Sequence, residues 1–129
     1  MPNDIDIFGR SALQLGALIQ SGLIDAEHVA EMTLAAIDAA QDRSIFTRVT
    51  AGRALTEARE AARRVRTGHP RGPLDGVPIA YKDLFDLDGV VTTAGSTVLA
   101  GEPPASADAA IVHALKSAGM VTVGRVNMT

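Results

Sequence analysis

The chain has no cysteine and no tryptophan, one tyrosine and three phenylalanines. Without cysteine there is no disulfide framework and no thiolate chemistry. Aromatics make up 3% of the 129 residues and alanine fills much of the apolar share, so each buried side chain removes little area from water and modest stability is expected. No apolar run approaches the length needed to cross a bilayer. The first residues, Met1-Pro-Asn-Asp-Ile-Asp, are acidic where a secretory leader is basic and then apolar, so a cytoplasmic protein is expected. A net charge of -3 gives no electrostatic reason to expect nucleic acid or a membrane as partner. Internal repeats and low-complexity stretches are absent as well. What remains is an ordinary soluble composition, 47% hydrophobic and 21% charged, of a length suited to one domain.

Lysine is also scarce: ten arginines stand against two lysines, Lys82 and Lys116. Lys82 closes a stretch that opens with turn chemistry, Gly72-Pro73-Leu74-Asp75-Gly76, and continues as an apolar run with β-branched residues over 77–81. That run reads as a strand, and strand side chains alternate between faces. Val77, Ile79 and Tyr81 then share one face, and Pro78, Ala80 and Lys82 the other. Arginine does not lose its proton in a protein, whereas a desolvated lysine does. A lysine here suits general-base or imine chemistry. On spacing alone the favoured reading is a strand-end lysine whose stem lies over Ala80 while its amine reaches water.

The remaining chain reads as helices and short strands. Ser11 caps a helix striped by Leu13, Leu15, Leu18 and Ile19 and ended by Gly22. Asp25 caps a second, with Val29, Met32, Leu34, Ile37 and Ala40 recurring near helical spacing, a packing face rather than a ligand site for Met32. Residues 45–49 suit a short strand. Thr50 is placed to cap a third helix through Arg66, with Leu55, Ala58, Ala62 and Val65 inward. Its far side carries Arg53, Arg59, Arg63, Arg64 and Arg66 with Glu57 and Glu60, and lacks the interleaved aromatics of a nucleic-acid surface, so a solvated, ion-paired face is expected. Residues 67–73 separate a mainly helical section (1–71) from a lysine-strand and strand-helix-strand section (72–129). After the lysine strand, 84–100 reads as loop, Ser106 as the cap of a helix ending at Gly119, and 120–126 as an apolar strand. The fold class expected is α/β: N-terminal helices plus the start of a mixed β-sheet covered by helices.

Other chemistries find little support. Asp83, Asp86 and Asp88-Gly89 lack the alternating oxygens and closing glutamate of a calcium loop. His28, His69 and His113 are too scattered to be ligands, and neither a phosphate loop nor a dinucleotide fingerprint is present. No metal and no cofactor are expected. An imine-forming lysine is the rival enzyme class, although no phosphate cup for pyridoxal accompanies it.

The segment from Gly72 to Asp83, followed by Thr92-Thr93-Ala94-Gly95-Ser96, resembles the segment bearing the catalytic lysine in the amidase signature family. Asp108-Ala-Ala-Ile-Val and then Ala118-Gly-Met-Val-Thr-Val-Gly-Arg-Val-Asn-Met resemble that family's next helix and strand. The likeness runs from about Ser11 onward, with Asp75 where a histidine is common and Tyr81 where a small aliphatic residue is usual. It implies the incomplete amidase signature fold and a Ser-Ser-Lys acyl-enzyme mechanism in which Lys82 is the base, kept dry and uncharged. Ser96, Gly95 and Asn127 are candidates for loop support of a small-molecule amide substrate. The family's two serines follow the Asn-Met block, and Ser11, Ser21, Ser44, Ser96, Ser106 and Ser117 lack the nucleophile's glycine-serine setting. The 129 residues are therefore expected to be a family member's N-terminal part, inactive alone and self-associating through exposed sheet edges. Alternatives are a glutamine-dependent amidotransferase A-type fragment and a non-catalytic remnant or binding module.

Overall fold

Two helix starts follow directly from local chemistry. The Ser11 hydroxyl accepts from Gln14 N–H while the Gln14 side chain accepts from Ser11 N–H, a reciprocal capping box that opens α1 (Ala12–Gln20). The Asp25 carboxylate accepts from Glu27 N–H and opens α2 (Ala26–Ala39). The computed structural model describes residues 6–96 and 98–127. It continues with β1 (Phe46–Val49), α3 (Ala51–Arg66), β2 (Pro78–Lys82), a 3-10 turn at Leu99–Gly101, α4 (Ala110–Ser117) and β3 (Val121–Val126). Residues 1–5 of the expected lead-in and Met128 of the Asn-Met block lie outside the described residues. The lead-in is not loose where it is described, since Ile7 is buried in the core and Asp6 accepts from the Phe8 and Gly9 amides.

The three strands form one mixed sheet in the order β1-β3-β2, with β3 antiparallel to β1 and parallel to β2. The helical first section and the α/β second section thus share a sheet. Ala80 packs with Ala30, Ala54, Ala58, Val121 and Val123, which places α2 and α3 over one face. Tyr81, on the other face, packs with Leu87 and Val112 of the following loop and α4. Burial of Leu87 and Val112 contributes about 1.5–3 kcal/mol each, the usual scale for such side chains. A third cluster joins α1, α2 and α3 to Val77 and Met120. At Gly16 the Pro73 carbonyl fills the space a Cβ would need, so α1 seats directly on the turn that feeds β2.

Two expected caps are not formed. Thr50 makes no side-chain cap; its Oγ1 donates to Thr122 O at 2.8 Å and its N–H to Val123 O at 3.0 Å, so pairing with β3 takes precedence. Ser106 does not start α4, which begins at Ala110. Gly89 N–H donates to Ala105 O, Ala105 N–H to Val90 O and Ala109 N–H to Asp86 O, and these bonds commit the chain through 109 to the preceding loop.

Candidate functional site

In open α/β sheets, ligands bind outside the carboxyl ends of parallel strands. Here those ends belong to β2 and β3. Lys82 is the last residue of β2, paired in register with Val126, and Asp83 N–H extends the ladder to Val126 O at 2.8 Å. Lys82 is exposed, and its side-chain amine has no hydrogen bond or ion pair among the described residues. The packing of α2 and α3 that half-buries Ala80 stops short of it. The dry amine expected at Lys82 is therefore not produced by the described residues.

Beside Lys82 lies a buried polar network that the sequence alone did not reveal. Asp83 is fully buried and Arg125 is 2% exposed, and their Oδ1 and Nη1 stand 3.3 Å apart. Arg125 sits opposite Tyr81 in the parallel ladder, so both project from the same face. Its Nη1 donates to Thr92 Oγ1 at 2.9 Å and its Nη2 to the Val91 carbonyl. Asp83 accepts from Thr93 N–H at 3.1 Å and from Thr93 Oγ1 at 2.5 Å. Burial alone would push the Asp83 carboxyl up, but the Thr93 bonds and the Arg125 charge outweigh it and hold the group below the usual carboxylate range. The network faces a recess of about 460 Å³ whose lining includes Thr47, Arg48, Asp83, Thr93 and Arg125.

Thr93 opens a tight turn. Ala94 has φ 48° and Gly95 φ 79°, and Ser96 N–H returns to Thr93 O at 2.8 Å, the signature of a type I′ turn. Glycine suits its position; alanine at positive φ is strained by about 1–2 kcal/mol. Ser96 is half-buried, with its Oγ accepting from Val98 N–H at 3.2 Å, and Gly95 is exposed. Asn127 follows β3; its Nδ2 donates to Ser44 O at 3.2 Å and its N–H to Ile45 O at 2.8 Å. Lys82 and Asn127 thus sit at adjacent strand ends, and Asp83 ties the turn bearing Gly95 and Ser96 to the lysine strand.

Comparison with known proteins decides the family, because the amidase family model matches residues 28–129. The chain belongs to the amidase signature family. A glutamyl-tRNA(Gln) amidotransferase subunit of Salinispora arenicola is 41% identical over 124 residues, covering 95% of this chain and 25% of that protein. A chain of the vestigial protein complex that reveals the evolutionary origins of an s-triazine catabolic enzyme superposes with a TM-score of 0.88 at 41% identity, covering 92% of this chain and 26% of that one. Peptide amidase of Stenotrophomonas maltophilia superposes with a TM-score of 0.80 at 32% identity, covering 92% and 24%. The chain spans about a quarter of the length of the relatives it matches.

Within this amidase signature chain, the arginine-rich helix differs from expectation. Glu57 faces inward, 8% exposed, and accepts from Thr122 N–H at 2.8 Å, where the β2–β3 register slips and the ladder leaves that amide open. Arg53 clasps Asp108 through two bonds of 2.8 and 2.9 Å. Arg64 clasps the fully buried Asp75 at 2.9 and 2.6 Å. Among the described residues, Arg59, paired with Glu27 at 3.1 Å and largely exposed, is the one that fits the solvated ion pair expected. Tyr81 is buried with its hydroxyl unpartnered among the described residues, and burial pushes its pKa up to about 12. Among the described residues no group of three acidic or histidine side chains could hold a metal ion, and no helix is long and apolar enough to cross a membrane.

Proposed function

We propose that this segment supplies the general base of an amide-bond hydrolase of the Ser-Ser-Lys type, with Lys82 as that base. The observation that carries the reading is Lys82 at the carboxyl end of a parallel strand in an amidase signature chain. The neutral amine takes a proton from a bridging serine, which takes one from a nucleophilic serine as that oxygen attacks the amide carbonyl. Backbone N–H groups stabilise the resulting oxyanion by about 3 kcal/mol per donor. The amine or ammonia leaves with the proton, and water then cleaves the acyl-enzyme ester. Because a charged ammonium accepts no proton, the reading requires Lys82 to be covered, and the three quarters of the relatives' length beyond this alignment is what supplies the cover. Both serines belong to that same part, so the 129 residues alone are inactive.

The relatives named as glutamyl-tRNA(Gln) amidotransferase subunits favour glutamine as one amide to test, with ammonia as the product. The test joins this chain to the remaining part of the Salinispora arenicola relative and measures ammonia release from glutamine and from simple amides. The joined protein is expected to turn over, and Lys82→Ala to lower kcat by about 10³-fold, within the range of general-base catalysis, with unchanged circular dichroism. A folded Lys82→Ala variant within tenfold of the parent, or equal activity in the 129-residue chain alone, would refute the assignment.

A further inference from the structure

Resting on the amide-hydrolase reading, we propose that Arg125 and Asp83 act as positioning residues, clamping the Thr93–Ser96 turn to the end of the lysine strand so that the turn forms a fixed wall of the substrate site. The clamp runs through atoms rather than general packing. Arg125 reaches the loop at Thr92 Oγ1 and the Val91 carbonyl, and reaches Asp83 just past the end of β2. Asp83, the residue after Lys82, takes both the amide and the hydroxyl of Thr93, the first residue of the turn. The two strand ends and the loop therefore share one set of bonds.

Two further features separate this from an ordinary buried ion pair. The first is the conformation it holds: Ala94 occupies φ 48°, which persists only when the surroundings over-determine it. The second is place. The pair stands at the carboxyl ends of β2 and β3 beside the 460 Å³ recess, and the turn it fixes carries exposed Ala94 and Gly95. A wall that shifts by about 1 Å costs on the order of 10²-fold in rate without loss of affinity for the ground state.

Thr93 gives a test that leaves the buried charges in place. In the joined protein, Thr93→Val should lower kcat about 30- to 100-fold, the scale of such a displacement, with KM within about threefold. Thr93→Ser, which keeps the hydroxyl, should restore most of kcat. In the 129-residue chain, hydrogen exchange at the Thr93 and Ser96 amides should quicken at least tenfold in Thr93→Val and in Arg125→Lys, while the Val121 amide, bonded to Val77 O, should stay protected. Unchanged kcat in Thr93→Val beside an active parent, or turn and strand amides loosening together, would overturn the clamp. An inactive parent would instead sink the hydrolase reading, and the exchange result would then decide the clamp alone.

Discussion

Asp75 offers the most direct check on the packing beneath the lysine strand. Its carboxylate is fully buried and takes three bonds: two from Arg64, at 2.9 and 2.6 Å, and one from Arg71 N–H at 2.8 Å. Gly119 presses against the same carboxylate so closely that a Cβ there would overlap it, and Gly76 N–H donates to Gly119 O at 2.8 Å. Asp75→Ala removes both acceptor oxygens, and with them all three bonds, and strands the Arg64 guanidinium, whose side chain is 17% exposed. Breaking a buried pair in this way costs about 3–5 kcal/mol. Partial access of Arg64 to water argues for the lower end, ~3 kcal/mol, after allowing for solvent screening. For a chain of this size that corresponds to a fall in Tm of about 10 °C. Urea denaturation should show the midpoint falling with an unchanged m-value, since the native fold and the surface exposed on unfolding are the same. In a cycle with Arg64→Ala, the two losses should fall short of adding by at least ~1 kcal/mol, because the second substitution breaks a pair already broken. A loss below about 1 kcal/mol for Asp75→Ala, or strict additivity in the cycle, would refute the account of this pair as one unit.

Other outcomes follow from the same structure. Ala94→Gly, normally an unfavourable change in a loop, should raise stability by up to ~1 kcal/mol by relieving the positive φ, read as a higher urea midpoint. Tyr81→Phe should be neutral or stabilising by up to ~1 kcal/mol, since it removes a buried, unpartnered hydroxyl; a clear loss of stability would reveal a bond to that oxygen. Asp83 and Asp108 are both held below the usual carboxylate range, Asp108 chiefly by its bonds from Arg53 against the cost of burial. Their contribution is thus complete above the unfolded aspartate pKa of about 3.9 and is lost as pH falls through the lower folded values, so stability should hold from pH 7 to about 5 and decline in acid. Asp108→Asn should flatten that acid decline. The outer edges of β1 and β2 are unpaired among the described residues, so sedimentation should show concentration-dependent association of the 129-residue chain, which a proline at Thr47 weakens.

Much of the fold is legible because it depends on near neighbours. The Ser11 and Asp25 caps, the span of α3 and the strand ending at Lys82 are set by spacing and turn chemistry within a few residues. The features missed are decided by distant partners. Glu57 looks solvated in a helix dense with arginine, yet an amide 65 positions away draws it inward. Arg125 looks like an exposed charge in a short apolar strand, yet Asp83 and the Val91–Thr92 loop surround it. One local signal pointed to it: an arginine within Val121–Val126 interrupts a run that burial would otherwise keep apolar. Lys82 is put at a strand end by alternation and singled out by the family likeness, while its exposure among the described residues is set by packing that neither shows.

The place of β3 in both the sheet and the chain order has a bearing on biogenesis. Among the described residues β1 and β2 are not neighbours in the sheet, and each pairs with a strand made after both. At translation rates of about 5–20 residues per second, the nascent polypeptide holds β1 without its ladder for several seconds. Helices α1 to α3 can gather early, but the alanine-lined side of α2 and α3 facing β3 stays open until residues 121–126 emerge from the ribosome. That interval is when this apolar side is open to non-native contacts.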